Sequence, residues 1–289
     1  VERMGVVVEK ALDVFHIETT INNRMFDGPL SLLHKNEDDW SAAEKVTFKG
    51  LAYTLSKLPP SGREAVFHRV PSPYGVTGVF AGACDPVHEM TLERSFAQYL
   101  VPIKGQADIL VSGIPYISPY NVHAFLNPLL VQVMAQGYLF NFFRGAPLVK
   151  KGGTMIVFHP CTDRFDEQQH APYVEFVHDV LAQTRDAAVM HSKFEETFAK
   201  NPAYIEMYRR GHAYHPAHPF FMWYWGEAGR RHLGRVIVVG ADNDYIPKLL
   251  GWETARTFAE ALAMAKTTAH QPEITMLHAP PIVMADVSL

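Results

Sequence analysis

The 289-residue sequence predicts an α/β fold in which a mainly parallel sheet carries helices on both faces, a Rossmann-like three-layer arrangement. Three observations lead there. Short, continuous apolar runs occur at 76–81, 107–112, 154–158, 235–239 and 274–277, the form taken by strands buried on both faces. Longer stretches with helical spacing separate them, as crossovers between parallel strands require. Each run gives way to a short segment that joins turn formers to polar residues, as expected where parallel strands end on one edge.

Ahead of the first run the pattern is different. Residues 6–15 place Val7, Val8, Ala11, Leu12 and Phe15 on one helical face. Residues 17–22 alternate like a short strand, closed by turn chemistry at 23–29. Asp38, Asp39 and Glu44 give a helix start an acidic first turn, favoured by the helix dipole, and Pro59-Pro60 stops that helix. The expected organisation is an N-terminal helix–strand segment with an insertion, 1–75, packed on an α/β domain, 76–289. Lys150-Lys151-Gly152-Gly153 reads as a tight turn into the third run.

Bulk properties narrow the function classes. A formal net charge of -4 gives no reason to expect a nucleic-acid partner. Two cysteines, Cys84 and Cys161, suit a reducing, cytoplasmic compartment rather than a disulfide scaffold. No apolar run approaches the ~20 residues of a membrane span, and the N-terminus lacks a signal-peptide pattern. It also lacks an initiator Met, which leads us to expect a fragment or processed product. The glycine fingerprints of dinucleotide and P-loop sites are absent, as is the G-x-S-x-G nucleophile elbow.

Chemistry is expected just beyond the strand ends, at 82–89, 113–116, 159–163, 240–244 and 278–281. Taken singly, each of these segments can be a turn followed by a helix cap; their repeated placement makes the case. Asp85, His88, Tyr116, His159 and Asp242 are the candidate side chains there. His212, His215 and His218 are spaced three apart, a pattern open to zinc. Pro216 and Pro219 interrupt any helix that would align them, so a structural loop is the favoured reading. The aromatic stretch 220–225 reads as packing, because such side chains bury large apolar areas.

From 79 onward the order of segments resembles the C-terminal domain of the nickel-pincer lactate racemase family. The residues that carry this are 79–88 (Val-Phe-Ala-Gly-Ala-Cys-Asp-Pro-Val-His), 107–113 (Ala-Asp-Ile-Leu-Val-Ser-Gly), 149–157, 235–239 and 251–262. The opening helix and strand are similar to those that precede the Phe-Ala-Gly segment in the family, with an insertion at about 28–70 between them. The resemblance implies a two-domain enzyme, an isomerase. A nickel-pincer nucleotide takes hydride from the Cα of a 2-hydroxy acid, and two histidines exchange the hydroxyl proton. The family's anchoring lysine, nickel-ligating histidine and acid/base histidines belong to an N-terminal part with no counterpart in this chain. The family's Asn-Val-Tyr-Gln-Ala-x-Lys segment corresponds to 121–127, so His123 stands for tyrosine, Ala124 for glutamine and Asn127 for lysine. Loss of that cation favours a larger or less anionic hydroxy compound over lactate.

The sequence thus leads to a substrate-side domain whose cofactor domain is carried elsewhere. Asp85, His88, Tyr116, His123, Asn127, His159 and Asp242 are expected to gather along one sheet edge as substrate contacts, with His123 foremost. The alternatives are a non-catalytic ligand-binding or scaffolding domain and, more weakly, an oxidoreductase using an ordinary nucleotide.

Overall fold

The structure is a computed structural model and describes residues 2–22, 24, 27–35, 39–71, 73–122, 124–266, 271–277 and 284–289. The strands among them are β1 (His16–Ile21), β2 (Val76–Gly82), β3 (Leu100–Lys104), β4 (Ala107–Gly113), β5 (Phe143–Gly145), β6 (Val149–Phe158), β7 (Arg235–Val239), β8 (Glu253–Ala255), β9 (Ile274–Leu277) and β10 (Met284–Ser288). Every run read as a strand is one. The chain divides into two compact units, the first Val1–Pro102 with Ile282–Met284 and the second Ile103–Pro281 with Ala285–Leu289.

In the first unit β1 and β2 pair antiparallel, with Ile17 opposite Ala81 and Thr19 opposite Val79. The helix Cys84–Tyr99 packs on both strands. This corrects the expectation that 76–81 belongs to the parallel sheet. An apolar run specifies a strand and its two faces, whereas its partner depends on what the rest of the chain brings alongside. The pairing also ties the N-terminal segment to residues 76–99, so the unit boundary falls at Pro102 and not at 75. The helix Ala42–Ser56 begins with a reciprocal cap: Glu44 N–H donates to Ser41 Oγ and Ser41 N–H to Glu44 Oε2. It ends ahead of Pro59, as the sequence requires.

The second unit is built on a five-stranded sheet of order β8-β7-β6-β4-β9. All its neighbours are parallel. Side-chain alternation sends Ile109, Val111, Ile156, Ile237 and Val239 to one face, where Ala261 and Ala265 of the helix Phe258–Ala265 cover them. Leu110, Met155, Val157, Val236 and Val238 point to the other, against Leu129, Phe176, Phe220 and Trp223. Two covered faces make a three-layer α/β unit. A separate three-stranded sheet has the order β3-β10-β5, with β10 parallel to β5.

Two local readings change. The stretch 150–153 lies inside β6 rather than forming a turn before it: the register with β4 shifts between Ala107 opposite Val149 and Ile109 opposite Thr154. Gly152, at φ 81°, supplies the left-handed residue of this irregularity. Secondly, the helix at the N-terminus is Glu2–Ala11 and stops short of Phe15. The aromatic stretch forms the helix His218–Trp225, with Phe220 and Trp223 fully buried. No helix among the described residues is long and apolar enough to cross a membrane.

Candidate functional site

The carboxyl ends of β4, β6 and β7 are stitched together by main-chain bonds. Ile114 N–H donates to Phe158 O at 3.2 Å, His159 N–H to Val239 O at 3.3 Å and Asp242 N–H to Pro160 O at 2.7 Å. Three predicted residues meet on this frame. The ring of Tyr116 lies 5.6 Å from that of His159. Asp242 Oδ2 accepts a 2.6 Å bond from the Thr162 hydroxyl, so the loop after β7 is tied to the loop after β6.

His159 is buried, and its ring is held by one bond: the Cys161 N–H donates to Nδ1 at 3.0 Å. A neutral imidazole that accepts at Nδ1 carries its proton at Nε2. That Nε2 is buried without a hydrogen-bond partner. Burial pushes the ring from its ordinary value down to about 3. It is therefore a fixed hydrogen-bond donor and not a base near neutral pH. Cys161 turns its N–H inward by adopting φ 46°, a conformation uncommon for a residue with a Cβ. Its thiol is raised to about 12 by burial and by the Asp242 carboxylate, which leaves it inert as a nucleophile.

The other predicted residues are placed differently. Asn127 is fully buried and caps the helix Pro128–Gln132, its Oδ1 accepting from Leu130 N–H at 3.2 Å. Asp85 and His88 lie in the first unit, exposed on the helix Cys84–Tyr99, where His88 Nδ1 sits 3.4 Å from Glu18 Oε1. His123 and the 278–281 segment lie outside the described residues.

Two clusters escaped the sequence reading. At the strand ends, His178 Nε2 is 3.1 Å from Asp163 Oδ1, and its Nδ1 is 3.3 Å from the Tyr245 hydroxyl. Nearer the interior, His170, Tyr173, Tyr214 and His218 pack ring on ring, with His170 parallel to Tyr214 at 5.1 Å and Tyr214 stacked on His218 at 4.7 Å. His170 Nε2–H donates to Tyr120 O at 2.8 Å, and the Tyr173 hydroxyl bonds His218 Nδ1. Burial lowers His170, and burial with the neighbouring His170 and His215 lowers His218 to about 4. No short motif signals either cluster; their members are scattered over more than 40 residues and are brought together by packing.

Among the described residues, one group brings three potential metal ligands within 4.8 Å of one another: Glu9, Cys84 and Asp85, in the first unit. It contains no histidine and no lysine, so it does not fit a nickel-pincer nucleotide held by such residues. His212, at φ 56°, and His215, whose Nδ1 accepts from Ala217 N–H at 3.2 Å, belong to the loop before the helix His218–Trp225.

No protein-family model matches the chain, and no curated protein matches it. Among solved structures it is similar to the lactate racemase apoprotein from Thermoanaerobacterium thermosaccharolyticum, at 20% identity and TM-score 0.44, over 74% of this chain and 43% of that one. It is also similar to a structural-genomics target from Thermotoga maritima, at 12% identity and TM-score 0.41, over 76% of this chain and 46% of that one. The chain spans less than half the length of either solved structure.

Proposed function

We propose that this chain binds a small hydroxy compound, a 2-hydroxy acid or a related alcohol, at the carboxyl ends of β4, β6 and β7. In this reading it is the cytoplasmic substrate-side domain of an enzyme of the lactate racemase type. The observation that carries the proposal is the unpartnered Nε2–H of His159. A buried donor without an acceptor is costly, and a ligand oxygen relieves that cost. The half-buried ring of Tyr116 lies against His159. The order of the racemase-like segments supports the same compound class. In this reading the nickel-pincer nucleotide is held by a separate N-terminal cofactor domain, and this chain contributes binding and orientation.

A second reading, a ligand-binding domain without catalysis, draws on the value of about 3 for His159: such a ring positions an oxygen and exchanges no proton at neutral pH. Titration calorimetry with D- and L-lactate and larger 2-hydroxy acids tests the shared claim. The expected result is binding by the native chain and loss of binding in His159→Phe with the fold retained. Equal binding by the two proteins, or no binding across the panel, overturns it. Turnover of a bound 2-hydroxy acid by the nickel-loaded full-length protein excludes the non-catalytic reading.

A further inference from the structure

We infer that Asp163, His178 and Tyr245 form a proton relay at the carboxyl edge of the sheet, with the Tyr245 phenol as the group that meets a substrate hydroxyl. Three separate elements build it. Asp163 follows β6, Tyr245 opens the helix Tyr245–Leu250 after β7, and His178 lies in the π-helical turn Phe176–Val180. Wide turns of this kind are frequent at functional sites, and the described residues hold two more, at Val133–Tyr138 and His191–Glu195.

The contacts define a direction. The Asp163 carboxylate, with Oδ1 3.1 Å from Nε2, favours the tautomer that carries the imidazole proton on that nitrogen. Nδ1 is left as the acceptor, and the phenol of Tyr245 is 3.3 Å away. The two rings are near parallel, 12° apart at 5.9 Å, and the Phe165 ring packs on His178 at 5.7 Å. A reacting hydroxyl, a base and a carboxylate that orients the base is the arrangement that activates weak nucleophiles in unrelated enzymes. All three side chains reach solvent: those of Asp163 and His178 are 35% and 28% exposed, and Tyr245 is 50% exposed.

The step balances without an outside reagent. Tyr245 passes its proton to His178 Nδ1, and the phenolate takes the proton of a substrate hydroxyl. One substrate O–H bond breaks, one N–H bond forms, and the Asp163 carboxylate compensates the imidazolium. The return path restores all three. This inference rests on ligand binding at the same edge, where Thr162, next to Asp163, holds Asp242. It adds the proton acceptor that His159 cannot be.

The test needs no ligand, so its failure is distinguishable from failure of the binding proposal. The full chain and its H178Q, D163N and D163E variants are treated with N-acetylimidazole, and acetylation of Tyr245 is followed by peptide mass spectrometry. Tyr208, 48% exposed on the helix Pro202–Arg210, serves as the internal control for folding. The expected result is acetylation of Tyr245 about tenfold slower in H178Q, slowed in D163N, recovered in D163E, and unchanged for Tyr208. Equal rates at Tyr245 in all four proteins overturn the relay.

Discussion

The backbone N–H of Cys161 donates to Nδ1 of His159 at 3.0 Å, and this one bond decides what the histidine can do. It fixes the proton on Nε2, and burial keeps the ring neutral. The left-handed turn at Cys161 is the local cost of aiming that N–H.

Removing the ring leaves the Cys161 N–H without its acceptor and opens a cavity under Tyr116. His159→Ala is expected to lower stability by about 2–4 kcal/mol. A urea titration of the two proteins, with equal slopes, measures it; a midpoint within error of the native one contradicts the sealed, bonded ring.

Stability should depend on pH in a stated direction. Unfolded histidines titrate near about 6.5, whereas His159 and His218 stay neutral to about 3 and about 4, and His170 is also lowered. Below the unfolded value the unfolded chain therefore binds more protons. The contribution is whole above about pH 6.5 and is lost progressively as pH falls from there toward the folded values, at up to about 1.4 kcal/mol per pH unit for each histidine. Denaturant midpoints between pH 7.5 and pH 5 test this; a flat profile would mean that the three rings titrate normally.

Asn127→Ala should cost about 1–2 kcal/mol through loss of the cap on the helix Pro128–Gln132. Asn127→Ser keeps a capping oxygen and should lose less. If either change weakened ligand affinity while leaving the unfolding midpoint untouched, the capping role would be wrong.

Gly153→Ala tests the irregular β4–β6 ladder. An added Cβ would stand 2.5 Å from Val149 Cγ2 and 2.8 Å from Asp108 O, and the second of these is backbone that cannot rotate away. Overpacking of this kind costs about 1–3 kcal/mol. A thermal melt no lower than that of the native chain would show that the ladder relaxes freely.

Much of this fold is legible one segment at a time. Ile109, Val111, Ile156 and Ile237 announce their strands because both sheet faces are covered and each run must be apolar throughout. Pro59 stops a helix and Ser41 starts one by chemistry local to a few residues. Tyr116, His159 and Asp242 were accessible by the rule that parallel strands end together. The cap that Asn127 gives the Pro128 helix was not anticipated, because alignment to a family's lysine position says nothing about local capping.

By itself the sequence determined the strands, the covered parallel sheet and the edge at which polar loops collect, since periodicity and turn chemistry act over a few residues. Only the tertiary structure decided that 76–81 pairs with 16–21, that His178 lies between Asp163 and Tyr245, and that His170 stacks on Tyr214. Such pairings join residues up to about 70 positions apart in the chain. They are selected by packing the whole unit, where loop closure is compensated only after many contacts form together, and no local pattern encodes that sum.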